Sequence, residues 1–198
     1  MESIKIAGAG VILGGEYDEV SIAGSAKVKG FLKCNTFKTS GATDTEASME
    51  VKTLKASGSI KIEGDLKVIE GKVSGAARVE GNIEADEFIA SGSLIVEGDI
   101  NADKLKLSIV NGSFKNIYGD EIRINSDGFF LKEYFHEVVK NINAKEIEAT
   151  TICIKDVTVE RISGDEITVE AGCKIGTIEY SKTLNISNKA KVERIIKL

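Results

Sequence analysis

Proline is absent from this sequence, and histidine occurs only once. Proline lacks the backbone N–H that a β-ladder needs, so its absence is typical of a chain built from continuous ladders. The one histidine, His136, leaves little for general acid–base catalysis, and no G-x-S-x-G, P-loop or H-E-x-x-H motif occurs. We therefore predict that the protein is not an enzyme and has no catalytic residue, no cofactor and no metal site.

Cysteine is also scarce, with three residues at wide spacing: Cys34, Cys153 and Cys173. An odd number at such spacing argues against a disulfide framework and against the paired spacing of a zinc site. We interpret all three as reduced thiols. Cys34 and Cys173 fall at inward positions of the repeat described below, where they can act as small apolar fillers, and Cys153 faces outward.

Long apolar runs and an excess of basic residues are missing as well. No segment approaches the roughly 18 apolar residues that a membrane-spanning helix needs, and the start, MESIKIAGAG, lacks the basic and apolar regions of a signal peptide. With 26 basic and 31 acidic residues the net charge is −5, and the two signs are interspersed. We therefore expect a cytoplasmic protein that does not bind nucleic acid.

What the sequence does contain is a repeat. Ser57–Leu107 divides without gaps into three blocks of seventeen residues, SGSIKIEGDLKVIEGKV, SGAARVEGNIEADEFIA and SGSLIVEGDINADKLKL. Two glycines recur in every block, at positions 58, 75 and 92 and at positions 64, 81 and 98. A fixed period this short is typical of a solenoid, in which each repeat forms one coil.

Within each block the apolar residues come in pairs two positions apart, such as Ile60 with Ile62 and Leu66 with Val68. Alternation with period two places both members of a pair on one face of a strand, with Lys61 on the other face. Three pairs per block predict three short strands per coil, and the glycines fall at the corners between them. The sequence therefore predicts an all-β fold: a single-stranded parallel β-helix, right-handed and triangular, of about ten coils.

The repeat extends beyond these blocks in both directions, so we predict a single β-helix domain over residues 1–198. One inward column is expected to contain Phe37, Leu54, Phe88 and Leu105. Thr43 and Thr45 replace apolar residues at inward positions, where we expect their hydroxyl groups to bond to the backbone or to one another. A functional polar channel is the alternative. Residues 1–23 match the repeat loosely and are interpreted as a degenerate first coil.

The register slips after Ile122, because the next residue assigned to its column, Ile147, follows 25 residues later. The surplus has apolar residues at helical spacing, so we predict a short amphipathic helix at about residues 129–140, within an insertion at about residues 127–142. Its apolar face either packs on the solenoid or docks to a membrane surface or a partner, with His136 on the solvated face. The candidate docking residues are Phe129, Phe130, Leu131, Tyr134, Phe135 and Val138.

The turn sequence E-G-D or E-G-N recurs in the three central blocks. Stacked coils would place Glu63, Glu80 and Glu97 in one column and Asp65, Asn82 and Asp99 in another. Oxygen ligands of this kind are those that calcium prefers. The interpretation that we favour is an exposed corner, where Asp and Asn are common because they suit the turn itself.

Motifs in the central coils resemble a known family. V-E-G-N-I or V-E-G-D-I, followed by A-D-x-F or A-D-x-L, occurs from Val79 and from Val96, and I-E-G-D-L occurs from Ile62. With the coil of seventeen residues, they are similar to the bactofilins, the polymer-forming bacterial cytoskeletal family. The resemblance covers most of the chain. It implies a right-handed β-helix that polymerises without nucleotide, acts as a scaffold and often associates with the inner membrane.

A β-helix ends in unpaired backbone groups and an exposed slice of core, which must be covered or will recruit another copy. We predict self-assembly through these ends, by like-to-like or head-to-tail contacts that give a closed dimer or a filament. The apolar residues expected at the ends are Ile4, Ile6 and Val11, and Val192, Ile195, Ile196 and Leu198. The predicted partners are further copies of the chain, with the inner membrane surface or cell-envelope proteins as additional ones.

Two other classes stay open. Left-handed hexapeptide acyltransferases also use triangular coils and commonly place a histidine between subunits, but they favour about 18 residues per coil. The apolar pairs here step by six, six and five residues, and the sole histidine is off the coil. An extracellular ligand-binding or adhesive β-helix is the remaining alternative, which the missing signal peptide disfavours.

Overall fold

The computed structural model describes residues 2–125 and 141–198. Every regular secondary-structure element in these two ranges is a β-strand. The strands are β1 Glu2–Ile6, β2 Ala9–Ile22, β3 Ser25–Thr39, β4 Ala42–Thr45, β5 Met49–Ile62, β6 Leu66–Val79, β7 Ile83–Val96, β8 Ile100–Ile124, β9 Asn141–Ile154, β10 Thr158–Val169, β11 Lys174–Ile186 and β12 Lys191–Lys197. Each strand pairs in parallel with the next one along the chain, and β3 also pairs with β5.

The sheet winds as a β-solenoid of about 11 turns, with equivalent residues about 17 positions apart. In the central turns the register is regular, because Leu66 pairs with Ile83 and Ile83 pairs with Ile100. The predicted all-β parallel coil is confirmed, with about one turn more than the sequence predicted.

Each turn buries alternate side chains, as the apolar pairs predicted. Leu66 and Val68 of β6 are 2% and 3% exposed, whereas Lys67 between them is exposed. Because the strands stack in register, every buried side chain contacts its equivalents in the neighbouring turns. The core is therefore a set of parallel columns along the solenoid rather than one central cluster.

The predicted interior column is confirmed: Phe37 pairs with Leu54, Phe88 pairs with Leu105, and all four side chains are at most 1% exposed. Gly71 occupies the turn between Leu54 and Phe88. A methyl group on Gly71 would overlap the Phe88 ring, so the glycine leaves the space that the larger side chain fills. Full burial of a side chain of this size stabilises the fold by about 1.5–3 kcal/mol.

One corner of the central turns is built from stacked glycines. Gly58, Gly75 and Gly92 have φ values of 146°, 133° and 103°, a conformation that L residues with a side chain rarely adopt. A methyl group on Gly75 would also overlap the carbonyl oxygen of Gly58 in the preceding turn. This corner therefore requires glycine for two reasons: the backbone conformation and the close approach of adjacent turns.

The step across the insertion differs from the prediction. Ile122 pairs with Ile152, thirty positions later, so the assignment of Ile147 to its column was wrong. The reason is that the chain rejoins the sheet earlier than expected. Asn141 and Ile142, which the predicted insertion included, are the first residues of β9, and Ile142 is buried. The predicted helix, with Phe129, Phe130, Leu131, Tyr134, Phe135, Val138 and His136, lies outside the described residues.

The chain leaves the sheet at Asn125, which has a φ of 54°. Its side-chain amide accepts a hydrogen bond from the Ile109 backbone N–H at 2.9 Å and donates one to the Ile109 carbonyl at 3.0 Å. The Asn125 side chain thus bonds to the two Ile109 backbone groups that a neighbouring strand would otherwise pair. The N–H and C=O of Ile109 are therefore not left unpaired where the ladder ends.

Three buried hydroxyl groups interrupt the apolar interior near the amino-terminal end. Thr39, Thr43 and Thr45 are each at most 4% exposed. The Oγ1 atoms of Thr39 and Thr43 share a hydrogen bond of 2.8 Å, and Thr45 Oγ1 donates to Met49 Sδ at 3.5 Å. The sequence predicted that Thr43 and Thr45 bond to the backbone or to one another. Among the described residues they bond instead to the side chains of Thr39 and Met49, which satisfy them within the core.

Candidate functional site

The amino-terminal end of the solenoid is covered by its own side chains. β1 pairs only with the second half of β2, so residues 9–13 have no strand on their outer side. Ile6 and Tyr17 reach into this gap, and the Tyr17 hydroxyl donates a hydrogen bond to the Leu13 carbonyl at 3.0 Å. The inward residue of this segment, Ile12, is consequently only 2% exposed.

The three apolar residues predicted at this end differ in orientation. Ile4 and Ile6 are half-buried and pack against the core. Val11 points outward and is 59% exposed, because the inward residue of its segment is the neighbouring Ile12. Val11 and Leu13 therefore form an exposed apolar face beside the end of the solenoid rather than part of its interior column.

The carboxy-terminal end is open. β12 pairs with only the first half of β11, and no described strand lies on its outer edge. Ile186 and Ile195 continue the inward columns of Val169 and Ile178, yet they are 37% and 51% exposed. The last turn therefore presents both core side chains and a free strand edge to solvent.

The four apolar residues predicted at this end occupy different positions. Val192 and Ile195 continue inward columns, whereas Ile196 takes the outward position after Ile195 and is half-buried. Leu198 is 71% exposed and extends the ladder, because its N–H donates to the Tyr180 carbonyl at 2.9 Å. The structure thus brings these residues together at one end but places only two of them in the interior columns.

The E-G-D corner is held together by bonds between neighbouring turns. Lys61 Nζ lies 2.8 Å from Glu63 Oε1 and 3.1 Å from Glu80 Oε1. The two carboxylates raise the pKa of Lys61 to about 12. The Asp65 carboxylate accepts a hydrogen bond from the Asn82 backbone N–H at 2.7 Å, and the contact repeats one turn later. These oxygen atoms therefore bond to groups of the neighbouring turns.

The described ranges, 2–125 and 141–198, contain no group of three or more His, Cys, Asp or Glu residues that could hold a metal ion. Cys34 and Cys173 are buried, as predicted, and Cys153 is half-buried between two inward isoleucines. Burial raises the pKa of the Cys34 thiol to about 12. A thiol with such a pKa stays protonated at neutral pH and is a poor nucleophile or metal ligand.

A groove, which the sequence interpretation missed, runs lengthwise along another corner of the coil. One stretch, of about 530 Å³, extends from Tyr17 to Gly119. A second stretch, of about 410 Å³, shares Tyr118 and Gly119 with the first and continues to Leu198. Between the two ends its lining includes one inward column, which changes from valine to alanine and glycine: Val51, Val68, Ala85, Ala102, Gly119, Ala149 and Gly164. This run of small residues is the signal that could have identified the groove in the sequence.

The walls of the groove are charged. Lys33 pairs with Glu50 at 2.6 Å and Lys67 pairs with Glu84 at 2.7 Å, so the walls near the amino-terminal end are largely neutralised. Farther along, Tyr118 lies beside carboxylates. Partial burial and then the neighbouring negative charges raise the pKa of Tyr118.

Comparison with known proteins gives no identification: no protein-family model, curated protein or solved structure matches the chain. The resemblance to bactofilins therefore stays a prediction. In the part of the chain that the structure describes, no helix is long and apolar enough to cross a lipid bilayer. His136, on which the acyltransferase alternative depends, lies outside that part.

Proposed function

We propose that the protein is a self-assembling scaffold of the bactofilin kind, whose copies join through the ends of the solenoid without nucleotide. The observation that carries this proposal is the open carboxy-terminal turn. Ile195 occupies a position that is fully buried in the preceding turns at Ile162 and Ile178, yet it is 51% exposed. A second copy that covers this turn would complete its interior columns.

The backbone favours the same contact. The outer edge of β12 presents N–H and C=O groups that every interior strand shares with a neighbour, and an edge of this kind pairs readily with another strand. In such a contact, burial of apolar side chains supplies the affinity, and pairing of the strand edges sets the register between the two copies. Because the same surface is present on every copy, a symmetric contact closes into a dimer.

The two ends are unequal, which bears on how assembly proceeds. Ile6 and Tyr17 lie across the amino-terminal end, so a head-to-tail contact would have to displace them. A contact between two carboxy-terminal ends needs no such rearrangement. The dimer that we propose is therefore like-to-like, and its extension into a filament without polarity would require Ile6 and Tyr17 to be displaced at both of the amino-terminal ends that meet.

The test uses matched variants. Ile195→Asp places a charge in the open end, whereas Ile69→Asp changes a side chain of similar exposure, 46% against 51%, in the middle of the solenoid. We expect light scattering to show that Ile195→Asp reduces the assembled mass at least twofold, that Ile69→Asp does not, and that both keep the β-sheet circular dichroism spectrum.

A third variant separates the two geometries. Ile6→Asp alters only the amino-terminal end, so a like-to-like dimer survives it, whereas a head-to-tail filament would be lost with either end variant. A wild-type protein that is monomeric at all concentrations, or an Ile195→Asp variant that assembles normally, would overturn the proposal. The membrane surface and cell-envelope partners stay predictions, since the helix that would dock to them lies outside the described residues.

A further inference from the structure

The lengthwise groove has a shape that repeats with every turn. Adjacent strands are about 4.8 Å apart, so a ligand that lies along the groove meets an equivalent surface at each such step. Ala85, Ala102 and Gly119 give the middle of the groove an apolar floor without large projecting side chains. A floor of this kind suits an extended, linear ligand rather than a compact one.

The charges on the walls change along the groove. The lysines near the amino-terminal end are paired with Glu50 and Glu84, apart from Lys52, which makes no ion pair with a described residue. Asp86, in the same turn as Glu84, and Asp103 and Glu148, in later turns, line the groove and make no ion pair with any residue in the described ranges. The middle of the groove is therefore negative.

We propose that this middle stretch binds an extended basic polypeptide segment. Lysine or arginine side chains of the segment pair with Asp86, Asp103 and Glu148, while its small residues lie on the alanine and glycine floor. Asp86 and Asp103 lie one turn apart on one wall, about 4.8 Å, and Glu148 lies two turns farther along on the opposite wall, about 10 Å. The long, flexible side chains of lysine and arginine in a segment that runs between the walls can reach carboxylates on both sides.

The three carboxylates are exposed to solvent. A single ion pair at such a site contributes little, so binding depends on several pairs formed together. The raised pKa of Tyr118, in the same stretch, reflects partial burial together with the negative charge around it. The binding should be fast and sensitive to salt, because electrostatic attraction acts mainly on the association rate.

The experiment measures fluorescence anisotropy of a labelled peptide of four Lys-Ala repeats. We expect saturable binding to the wild-type protein that weakens as salt is raised, and no binding of the matching Glu-Ala peptide. The Asp86→Asn, Asp103→Asn double variant should lower the affinity about tenfold, the effect of two partly exposed ion pairs.

A control with the same change in net charge distinguishes the groove from general attraction to an acidic protein. Glu160 and Glu193 are exposed and lie outside the groove lining, so the Glu160→Gln, Glu193→Gln double variant should bind almost as the wild type does. Equal losses in the two double variants, or no binding to the wild type, would contradict the proposal. Saturable binding of an uncharged oligosaccharide in place of the peptide would also overturn it, because it would make the Tyr118 ring rather than the carboxylates the recognition element.

Discussion

The turns before residue 125 and the turns after residue 141 share the same inward columns, but their corners differ in length. In the central turns the step is seventeen residues, as from Ile83 to Ile100. After the insertion the step falls to fifteen, from Ile147 to Ile162, and then rises to sixteen, from Ile162 to Ile178. The difference teaches that the length of a turn can vary as long as the buried columns stay in register.

The later turns are shorter because their corners contain fewer residues. Between Val79 and Ile83 the E-G-N turn has three residues, whereas between Val159 and Ile162 the corner has two. The glycine corner shortens in a similar way, and in β9–β10 its positive φ is provided by Asp156, at 57°. Asparagine and aspartate tolerate this conformation better than other residues with a side chain, so the later turns need fewer glycines.

The largest expected effect comes from testing the two kinds of corner against each other. Gly75 and Gly172 both have positive φ, 133° and 81°, but a methyl group on Gly75 meets the Gly58 carbonyl oxygen, and one on Gly172 meets the Asp156 carboxylate. A backbone atom cannot move aside, whereas a carboxylate can. We expect Gly75→Ala to cost more than about 3 kcal/mol and Gly172→Ala about 1–2 kcal/mol.

Urea denaturation followed by circular dichroism measures the difference. Equal losses of stability for Gly75→Ala and Gly172→Ala would show that the φ value alone, and not the close approach of adjacent turns, makes glycine necessary at this corner. A small loss for Gly75→Ala would show that the central turns can adjust their spacing as the later turns do.

The comparison also shows what sequence alone could predict. The central turns were predicted in detail, because the recurring glycines and the E-G-D turn mark two of the three corners of the repeat. The later turns lack those markers, and the alternation of Ile142, Ala144 and Ile147 fits more than one register, so Ile147 was assigned to the wrong column. At the ends, the sequence predicted which apolar residues lie there but could not show that Tyr17 folds over one end, since this depends on side-chain direction. The small residues Ala85, Ala102 and Gly119, seventeen positions apart, could have indicated the floor of the groove, but which side chains form its walls depends on side-chain direction, which the spacing does not give.

A second prediction concerns the buried hydroxyl groups, which the later turns lack. Thr43 lies in the inward column that continues to Ile142 after the insertion. Thr43→Val therefore makes this turn resemble the later ones, but it leaves the Thr39 hydroxyl without its 2.8 Å partner. We expect a loss of about 1–2 kcal/mol for the single variant.

The Thr39→Val, Thr43→Val double variant removes both hydroxyl groups and should recover most of that stability, because no buried polar group is left unpaired. The same denaturation measurement gives the coupling between the two sites. If the losses of the two single variants simply add in the double variant, the hydroxyl groups are satisfied by something other than each other.

The smallest expected effect separates the ion pairs of the two regions. Lys61 bridges Glu63 and Glu80, whose side chains are 40% and 35% exposed, and Arg161 bridges Glu146 and Glu179, at 22% and 20%. Less exposed partners are screened less by salt, so Arg161→Met should lower the melting temperature more than Lys61→Met, and 1 M salt should reduce mainly the Lys61 effect. The pKa of Lys61 is raised from 10.5 to about 12, so its contribution is complete below pH 10.5 and is lost as the pH rises through 12. Identical shifts in melting temperature for the two variants at both salt concentrations would contradict this prediction. They would show that the exposure of the partner carboxylates does not determine how much these surface ion pairs stabilise the fold.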